Sequence, residues 1–265
     1  SAASDVYKRQ KQMLWLQYQL IKKISKEDPR IDGSDLPPAI IHLKDTCGSF
    51  AFDYQSIYSP AGLNPDNTGV IGLDDFDSSW GIWGHNLRKV LGANTEKVYA
   101  TINGKANDSQ LCFSSGEMFR LIESYITDNF GEKGKFRFVI APDDTPYACT
   151  CPSCTAIGNT EKNATPAVTE LILRLSQRFP RHFFFTTSYL TTQQVTDKQL
   201  PPNAGVIVSA INFPLRRIDG KDAKEKAFAG QLEQWKNVTK NIYIWDYINN
   251  FDDYLTPMPL SLIHI

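Results

Sequence analysis

From residue 110 onward the chain alternates between two hydrophobic periods, and that alternation limits its fold more than any other feature. Strand-like runs at 110–114, 135–141, 182–189, 205–211 and 241–247 are interleaved with helix-period segments at 117–129, 164–179 and 223–239. Parallel strands need crossover connections, and strands covered by helices read as nearly continuous apolar runs. Phe136-Arg137-Phe138-Val139-Ile140 and Val206-Ile207-Val208 are of that kind. The pattern predicts an α/β fold with a mainly parallel sheet.

Two architectures satisfy this pattern. A doubly wound sheet binding a nucleotide would carry G-x-G-x-x-G or G-x-x-x-x-G-K-[ST] at a strand-to-helix turn, and neither motif occurs. Polar and aromatic residues instead gather at the carboxyl ends of the strands: Ser114-Ser115, Asp143-Asp144, Ser188-Tyr189, Asn212 and Trp245-Asp246-Tyr247. That is the working face of a TIM-type barrel. With about six strands counted, the expectation is an incomplete (β/α)8 barrel fragment lacking its last βα unit.

Upstream of the alternation the sequence predicts an amphipathic helix over 11–25, with Leu14, Tyr18 and Ile21 on one stripe. A short strand at Ala39-Ile40-Ile41, a long punctuated loop over 44–85, a helix at 86–91 and a β-like piece at 98–101 follow. Residues 1–10 (SAASDVYKRQ) and 261–265 resemble translated sequencing adapter and are set aside as non-native. The expected domain is then a single truncated barrel over 11–260, cut from a longer protein. Lysine and arginine total 28 against 29 acidic residues, a net charge of -1, which argues against a nucleic-acid partner. No apolar run approaches the ~20 residues of a membrane span.

The sharpest chemical signal is Ala141-Pro142-Asp143-Asp144 at the end of an apolar strand. Adjacent carboxylates there point in different directions, so one can stay ionised while the other, in a drier setting, keeps a proton as a general acid. Turn or capping chemistry is the alternative reading. Cys149-Thr150-Cys151-Pro152-Ser153-Cys154 follows after four residues, and with Cys112 it can supply four thiolates to a structural zinc or pair as two disulfides, leaving Cys47 apart. No cofactor for catalysis is indicated. Trp80, Trp83, Tyr189, Trp245 and Tyr247 are candidate platforms for sugar rings, and His85, Asn86, Asn212, Asp246 and Asn249 candidate hydrogen-bonding partners, with core packing as the alternative for the tryptophans. Arg216-Arg217 reads as a solvated pair or a carboxylate site.

Five segments in order carry a resemblance: Trp80-Gly81-Ile82-Trp83-Gly84-His85-Asn86; Val98-Tyr99-Ala100 with Asn103-Gly104-Lys105; Gln110-Leu111-Cys112-Phe113-Ser114-Ser115; the Asp143-Asp144 segment with its C-x-C-x-x-C; and Ile244-Trp245-Asp246-Tyr247. Over roughly residues 75–259 the chain resembles a family of secreted bacterial proteins, long called a domain of unknown function, encoded in polysaccharide-utilisation loci. Some of its members are endo-β-N-acetylglucosaminidases, with a barrel similar to those of α-glucuronidases and hexosaminidases. The resemblance implies hydrolysis of N-acetylhexosamine-containing glycans, with Asp143 orienting the substrate's acetamido group and Asp144 protonating the leaving oxygen. It also implies a periplasmic, cell-surface or secreted location for the parent protein. Two hydrolytic or binding alternatives stay open, a non-catalytic glycan-binding barrel and an α-glucuronidase-like hydrolase. A zinc- or thiol-dependent enzyme centred on the cysteines is disfavoured, since no histidine lies in that loop.

Overall fold

The computed structural model describes residues 11–21, 50–60, 62–214 and 220–247. The terminal segments 1–10 and 261–265, the strand at 39–41, Cys47, Arg216-Arg217 and Asn249 lie outside the described residues. The chain divides into two compact units after Trp80.

The first unit contains helix α1 over 11–21 and two short helices, α2 (Pro65–Thr68) and α3 (Phe76–Ser79). Side-chain caps start both short helices: Asn64 accepts from the Asp66 amide and Asp75 from the Ser78 amide. The segment expected as one long loop is therefore locally ordered. The packed side of α1 also differs from expectation. Tyr18 and Ile21 are exposed, whereas Lys11 is buried against Asp74 at 2.9 Å and Trp15 meets Phe50 edge-on at 5.4 Å. Asp74 also accepts from the Gln55 amide at 2.9 Å, so the buried charge pair is hydrogen-bonded on both sides and sets which helix face turns inward.

The second unit is α/β. Its elements are β1 (Trp80–Ile82, whose first residue closes the first unit), α4 (Leu87–Leu91), β2 (Tyr99–Ile102), β3 (Lys105–Leu111), α5 (Gly116–Phe130), β4 (Arg137–Val139), α6 (Pro152–Ile157), α7 (Thr165–Arg178), β5 (Phe183–Ser188), β6 (Ala204–Ser209), α8 (Ala223–Lys236) and β7 (Asn241–Trp245). Five strands form one sheet in the order β1-β4-β5-β6-β7, and β4 through β7 pair in parallel. Gly205 on β6 is required by that pairing, because a Cβ there would lie 2.2 Å from the Asn241 carbonyl oxygen.

Helices bury a stripe each. Met118, Ile122 and Ile126 of α5 and Ala167, Val168, Leu171, Ile172 and Leu175 of α7 recur at helical spacing and enter one core with Phe138, Phe179 and Phe184. Ser115 caps α5 by accepting from the Glu117 and Met118 amides. A smaller core forms where Trp235 of α8 packs on Val206 and Val208.

The opposite face of the sheet is concave. Phe185 of β5 stacks on Tyr243 of β7 with ring centroids 4.8 Å apart, and Arg137 of β4 donates Nε–H to the Tyr243 hydroxyl at 2.9 Å. In a flat sheet β4 and β7 would be about 14 Å apart. Beyond the strand ends, Trp83 after β1 stacks on Trp245 of β7 at 4.8 Å, so the two sheet edges curl toward each other at their carboxyl ends.

One expectation is corrected. The pieces at 98–101 and 110–114 do not join the parallel sheet; β2 and β3 form a separate antiparallel hairpin. Asn103 and Gly104, with φ of 51° and 74°, make the two-residue turn that joins them. Cys112 accordingly lies at the foot of this hairpin, its amide donating to the Val98 carbonyl, rather than on a strand of the main sheet.

Candidate functional site

Ile140, Ala141 and Pro142 continue β4 as buried chain, with the Ile140 amide donating to Phe185 at 2.7 Å, and deliver Asp143 and Asp144 to the carboxyl end of the sheet. The two carboxylates meet different surroundings. Asp143 is mostly buried, and its Oδ2 accepts from Arg88 Nε at 2.7 Å and lies 2.7 Å from Arg88 Nη2 as an ion pair; Nη2 donates to the Asp108 carbonyl at 2.5 Å. Its backbone is gripped by the buried Gln110, whose Oε1 accepts from the Asp143 amide at 3.1 Å and whose Nε2 donates to the Asp143 carbonyl at 3.3 Å, the Thr145 hydroxyl at 3.0 Å and the Tyr147 carbonyl at 3.1 Å. Asp144 is exposed. It accepts from Tyr189, and burial of that phenol together with the Asp144 hydrogen bond pushes the Tyr189 pKa above its ordinary value.

His85 Nδ1 lies 2.5 Å from the Pro142 carbonyl oxygen, and its ring is 6.1 Å from that of Tyr189. Short contact with a carbonyl oxygen means that Nδ1 carries the proton. Across from them the Tyr247 hydroxyl lies 3.4 Å from Ser209 Oγ at the end of β6. Trp83 and Trp245, both half-buried, stack on each other with ring centroids 4.8 Å apart. The strand ends thus bring together Asp143, Asp144, His85 and Tyr189, with Tyr247 and the tryptophan pair beside them.

The other expected residues have separate surroundings. Asn86 starts α4 without a side-chain cap bond, and Asp246 turns its carboxylate to the Tyr247 amide at 2.8 Å. Trp80 belongs to the first unit, where it is buried and donates its indole N–H to the Tyr54 hydroxyl at 2.8 Å. Asn212 is exposed and, with Tyr189, Ser209, Gln193, Gln231 and Lys224, lines a cavity of about 870 Å³ between α8 and the ends of β5 and β6. Leu190, on its wall, holds φ at +44°, a strained conformation for a branched side chain. Arg88 and Gln110 are the residues that sequence reasoning missed. Their partners lie 55 and 33 positions away, and only the Asn103-Gly104 hairpin signal could have placed Gln110 beside the β4 loop.

The four cysteines do converge. The sulfurs of Cys112, Cys149, Cys151 and Cys154 lie within 4.8 Å of one another and could hold a metal ion. They are free thiols: Cys112 Sγ is 3.7 Å from Cys151 Sγ and 3.8 Å from Cys154 Sγ, well beyond the ~2.05 Å of a disulfide. Amides point at two of them, Thr101 N–H to Cys149 at 3.2 Å and Cys154 N–H to Cys151 at 3.4 Å. Hydrogen bonds from Cys112 and Cys154 lower the Cys149 pKa to about 3, while the Cys112 and Cys149 contacts and burial push Cys154 far upward.

Among the described residues no helix is long and apolar enough to cross a membrane. No curated protein and no solved structure matches the chain. A family model does match, over residues 85–263, which takes in the carboxylate pair, the hairpin, the cysteine cluster and the β7 end. The chain belongs to the family described as a domain of unknown function, DUF4838.

Proposed function

We propose that the protein is a glycoside hydrolase acting on N-acetylhexosamine-containing glycans, as an endo-β-N-acetylglucosaminidase of the substrate-assisted kind. The observation that supports this most is the meeting of the Asp143–Asp144 pair with His85 and Tyr189 at the carboxyl end of a curled parallel sheet, beside a pair of stacked tryptophans. In this reading the five strands are part of a (β/α)8 barrel like those of hexosaminidases and α-glucuronidases, in a secreted or cell-surface protein of a polysaccharide-utilisation locus.

The roles follow from the two environments. Both Arg88 contacts fall on Oδ2 of Asp143, leaving Oδ1 to accept the substrate's acetamido N–H, so the acetamido oxygen is aimed at the anomeric carbon. As that oxygen attacks, the C–O bond to the leaving sugar breaks, and the leaving oxygen takes its proton from Asp144. Water then opens the cyclic intermediate, with Asp144 taking a proton back. The indole rings of Trp83 and Trp245 are of the kind that pack on the apolar faces of pyranose rings. The cysteines have no part in bond cleavage, and zinc is the ion that suits four thiolates as a structural clamp.

A second reading, a glycan-binding protein without catalysis, is favoured by the Arg88–Asp143 ion pair, which also satisfies that carboxylate as a structural salt bridge does. Incubating the purified protein with complex N-glycans, glucuronoxylan and chromogenic N-acetylglucosaminides separates these outcomes. Release of oligosaccharides ending in N-acetylglucosamine supports the hydrolase. Asp144→Asn should then slow glycans by about 10²–10⁴-fold but activated aryl glycosides much less, while Asp143→Asn should slow both. Binding without cleavage selects the second reading, and neither binding nor cleavage overturns both.

A further inference from the structure

We propose that Cys112, Cys149, Cys151 and Cys154 form a tetrathiolate zinc site, and that the bound ion fixes the loop carrying Asp143 and Asp144 against the β2–β3 hairpin. The geometry and the bonding around the cluster carry this inference, and it stands whether or not the protein cleaves glycans.

The spacing of the sulfurs is the first argument. Four thiolates at about 2.3 Å from a central zinc stand about 3.8 Å from one another at the corners of a tetrahedron. Cys112 Sγ lies 3.7 and 3.8 Å from Cys151 and Cys154, and all four sulfurs fall within 4.8 Å of one another. The chain is already folded to that size. Cys149 precedes α6, Cys151 caps it and Cys154 lies in its first turn, while Cys112 arrives from the foot of the hairpin, so the fourth corner comes from a separate element.

The second argument is the surrounding donor set. Four thiolates around one Zn²⁺ leave a net charge of -2, which buried sulfurs tolerate only with donors aimed at them. The Thr101 amide points at Cys149 Sγ and the Cys154 amide at Cys151 Sγ. Ser114 Oγ stands 3.0 Å from Cys154 Sγ, 3.5 Å from Cys112 Sγ and 3.7 Å from Cys151 Sγ, where its hydroxyl can donate to a thiolate without being a ligand. Binding one Zn²⁺ displaces the remaining thiol protons to solvent and creates no redox change, so no oxidant is required.

The third argument links the cluster to the carboxylates. Between Asp143 and Cys154 the chain meets the hairpin repeatedly: Gln110 holds Asp143, Thr145 and Tyr147, the Thr150 amide donates to the Thr101 carbonyl at 2.7 Å, and Cys149 receives the Thr101 amide. Zinc closes the far end of this zip. Without it the hydrogen bonds of Gln110 and Thr101 and the Arg88 ion pair have to hold the loop unaided.

Zinc analysis of the protein purified without added metal should give one zinc per chain, with four of the five thiols blocked to a thiol reagent until a chelator is added. Exchange of zinc for cobalt should produce the visible absorption of a tetrahedral cobalt thiolate. Ser114→Ala should keep one zinc per chain but weaken its affinity about 10–100-fold. Hydrogen exchange at the Thr101, Asp143 and Thr150 amides should speed up after chelation, whereas amides in α7 should not change. A protein with iron in place of zinc, with disulfides, or with no metal and five reactive thiols overturns the zinc site. Zinc present but unchanged exchange at Asp143 after its removal overturns the clamp. Neither result depends on glycan cleavage, so a failure of the hydrolase reading is seen separately.

Discussion

The chains leaving β4 and β6 start from the same end of one parallel sheet, two strands apart. Past β4, side chains from distant elements hold the backbone: Gln110 from β3, Arg88 from α4 and the cysteine from the hairpin foot. Past β6, among the described residues, the Ala210 amide donates to the Trp245 carbonyl at 2.9 Å, the Ile211 amide to Ser209 Oγ at 3.4 Å and the Phe213 amide to the Ala210 carbonyl at 2.8 Å, and Phe213 meets Phe228 of α8 edge-on, beside the open cavity. The post-β5 turn lies between these extremes, anchored on Ser188, which accepts from the Trp235 indole at 2.9 Å and from Gln231 at 2.7 Å. One side of the site is positioned before any ligand arrives, and the other has room to adapt. Chemistry that needs a carboxylate at a fixed angle belongs with the first, and recognition of varied ligand branches with the second.

Breaking the post-β4 grip should produce the largest loss. Gln110→Ala removes a buried carboxamide and orphans the Asp143 and Leu111 amides along with three acceptors, so unfolding free energy should fall by about 3 kcal/mol. Denaturant titration measures the loss, and hydrogen exchange should localise it to residues 143–147. A uniform loss across the fold would erase the distinction drawn between the two loops.

The post-β5 anchor should matter less. Ser188→Ala leaves the buried Trp235 indole N–H without its acceptor and should lower stability by about 2 kcal/mol. Its effect should appear in α8 and the cavity wall, with exchange at Asp143 unchanged.

A pH effect on stability is expected from the opposite end of the sheet. His182 is fully buried; Nε2 donates to the Gly131 carbonyl at 2.7 Å and Nδ1 accepts the Phe136 amide at 3.3 Å, and burial lowers its pKa. The unfolded chain takes up a proton below about pH 6.5 that the folded chain refuses, so stability is full above that pH and falls below it, by at most about 1.4 kcal/mol per pH unit. Thermal unfolding from pH 7.5 to 5 should show that slope, and a folded His182→Gln variant should flatten it.

The smallest effect is expected at the ion pair. Arg88→Lys keeps the charge but loses the two-pronged grip on Asp143; since the guanidinium is a third exposed, the change should cost about 1 kcal/mol or less. If this variant matched Gln110→Ala in stability, charge rather than backbone clamping would be what positions the loop.

The helix and strand succession after residue 116 was legible because each element carries its own period. The predicted helix at 164–179 is Thr165–Arg178, and the predicted strand at 182–189 is Phe183–Ser188. The hairpin was not legible in the same way. β3 reads Lys105-Ala-Asn-Asp-Ser-Gln-Leu111 and is exposed over most of its length, so it shows no alternation, and the apolar end alone suggested a sheet strand. The carboxylate pair and the C-x-C-x-x-C run stood out because their members are close in sequence, and Cys112 joined them as a thiol able to complete a four-cysteine set. What holds Asp143 did not, since side-chain contacts across 33 and 55 residues leave no local trace.

The stacked Trp83 and Trp245 have a bearing on how the chain assembles. Strands β4 through β7 are sequential neighbours, so each can add to the last through a nearby crossover. The tryptophan joint instead ties the outermost strands, more than half the chain apart, and pays its loop-closure entropy before returning any contact. It is the natural last step of folding. Refolding followed by tryptophan emission should trail the return of backbone ellipticity, and the carboxyl end of the sheet is the part that the newly formed protein completes last.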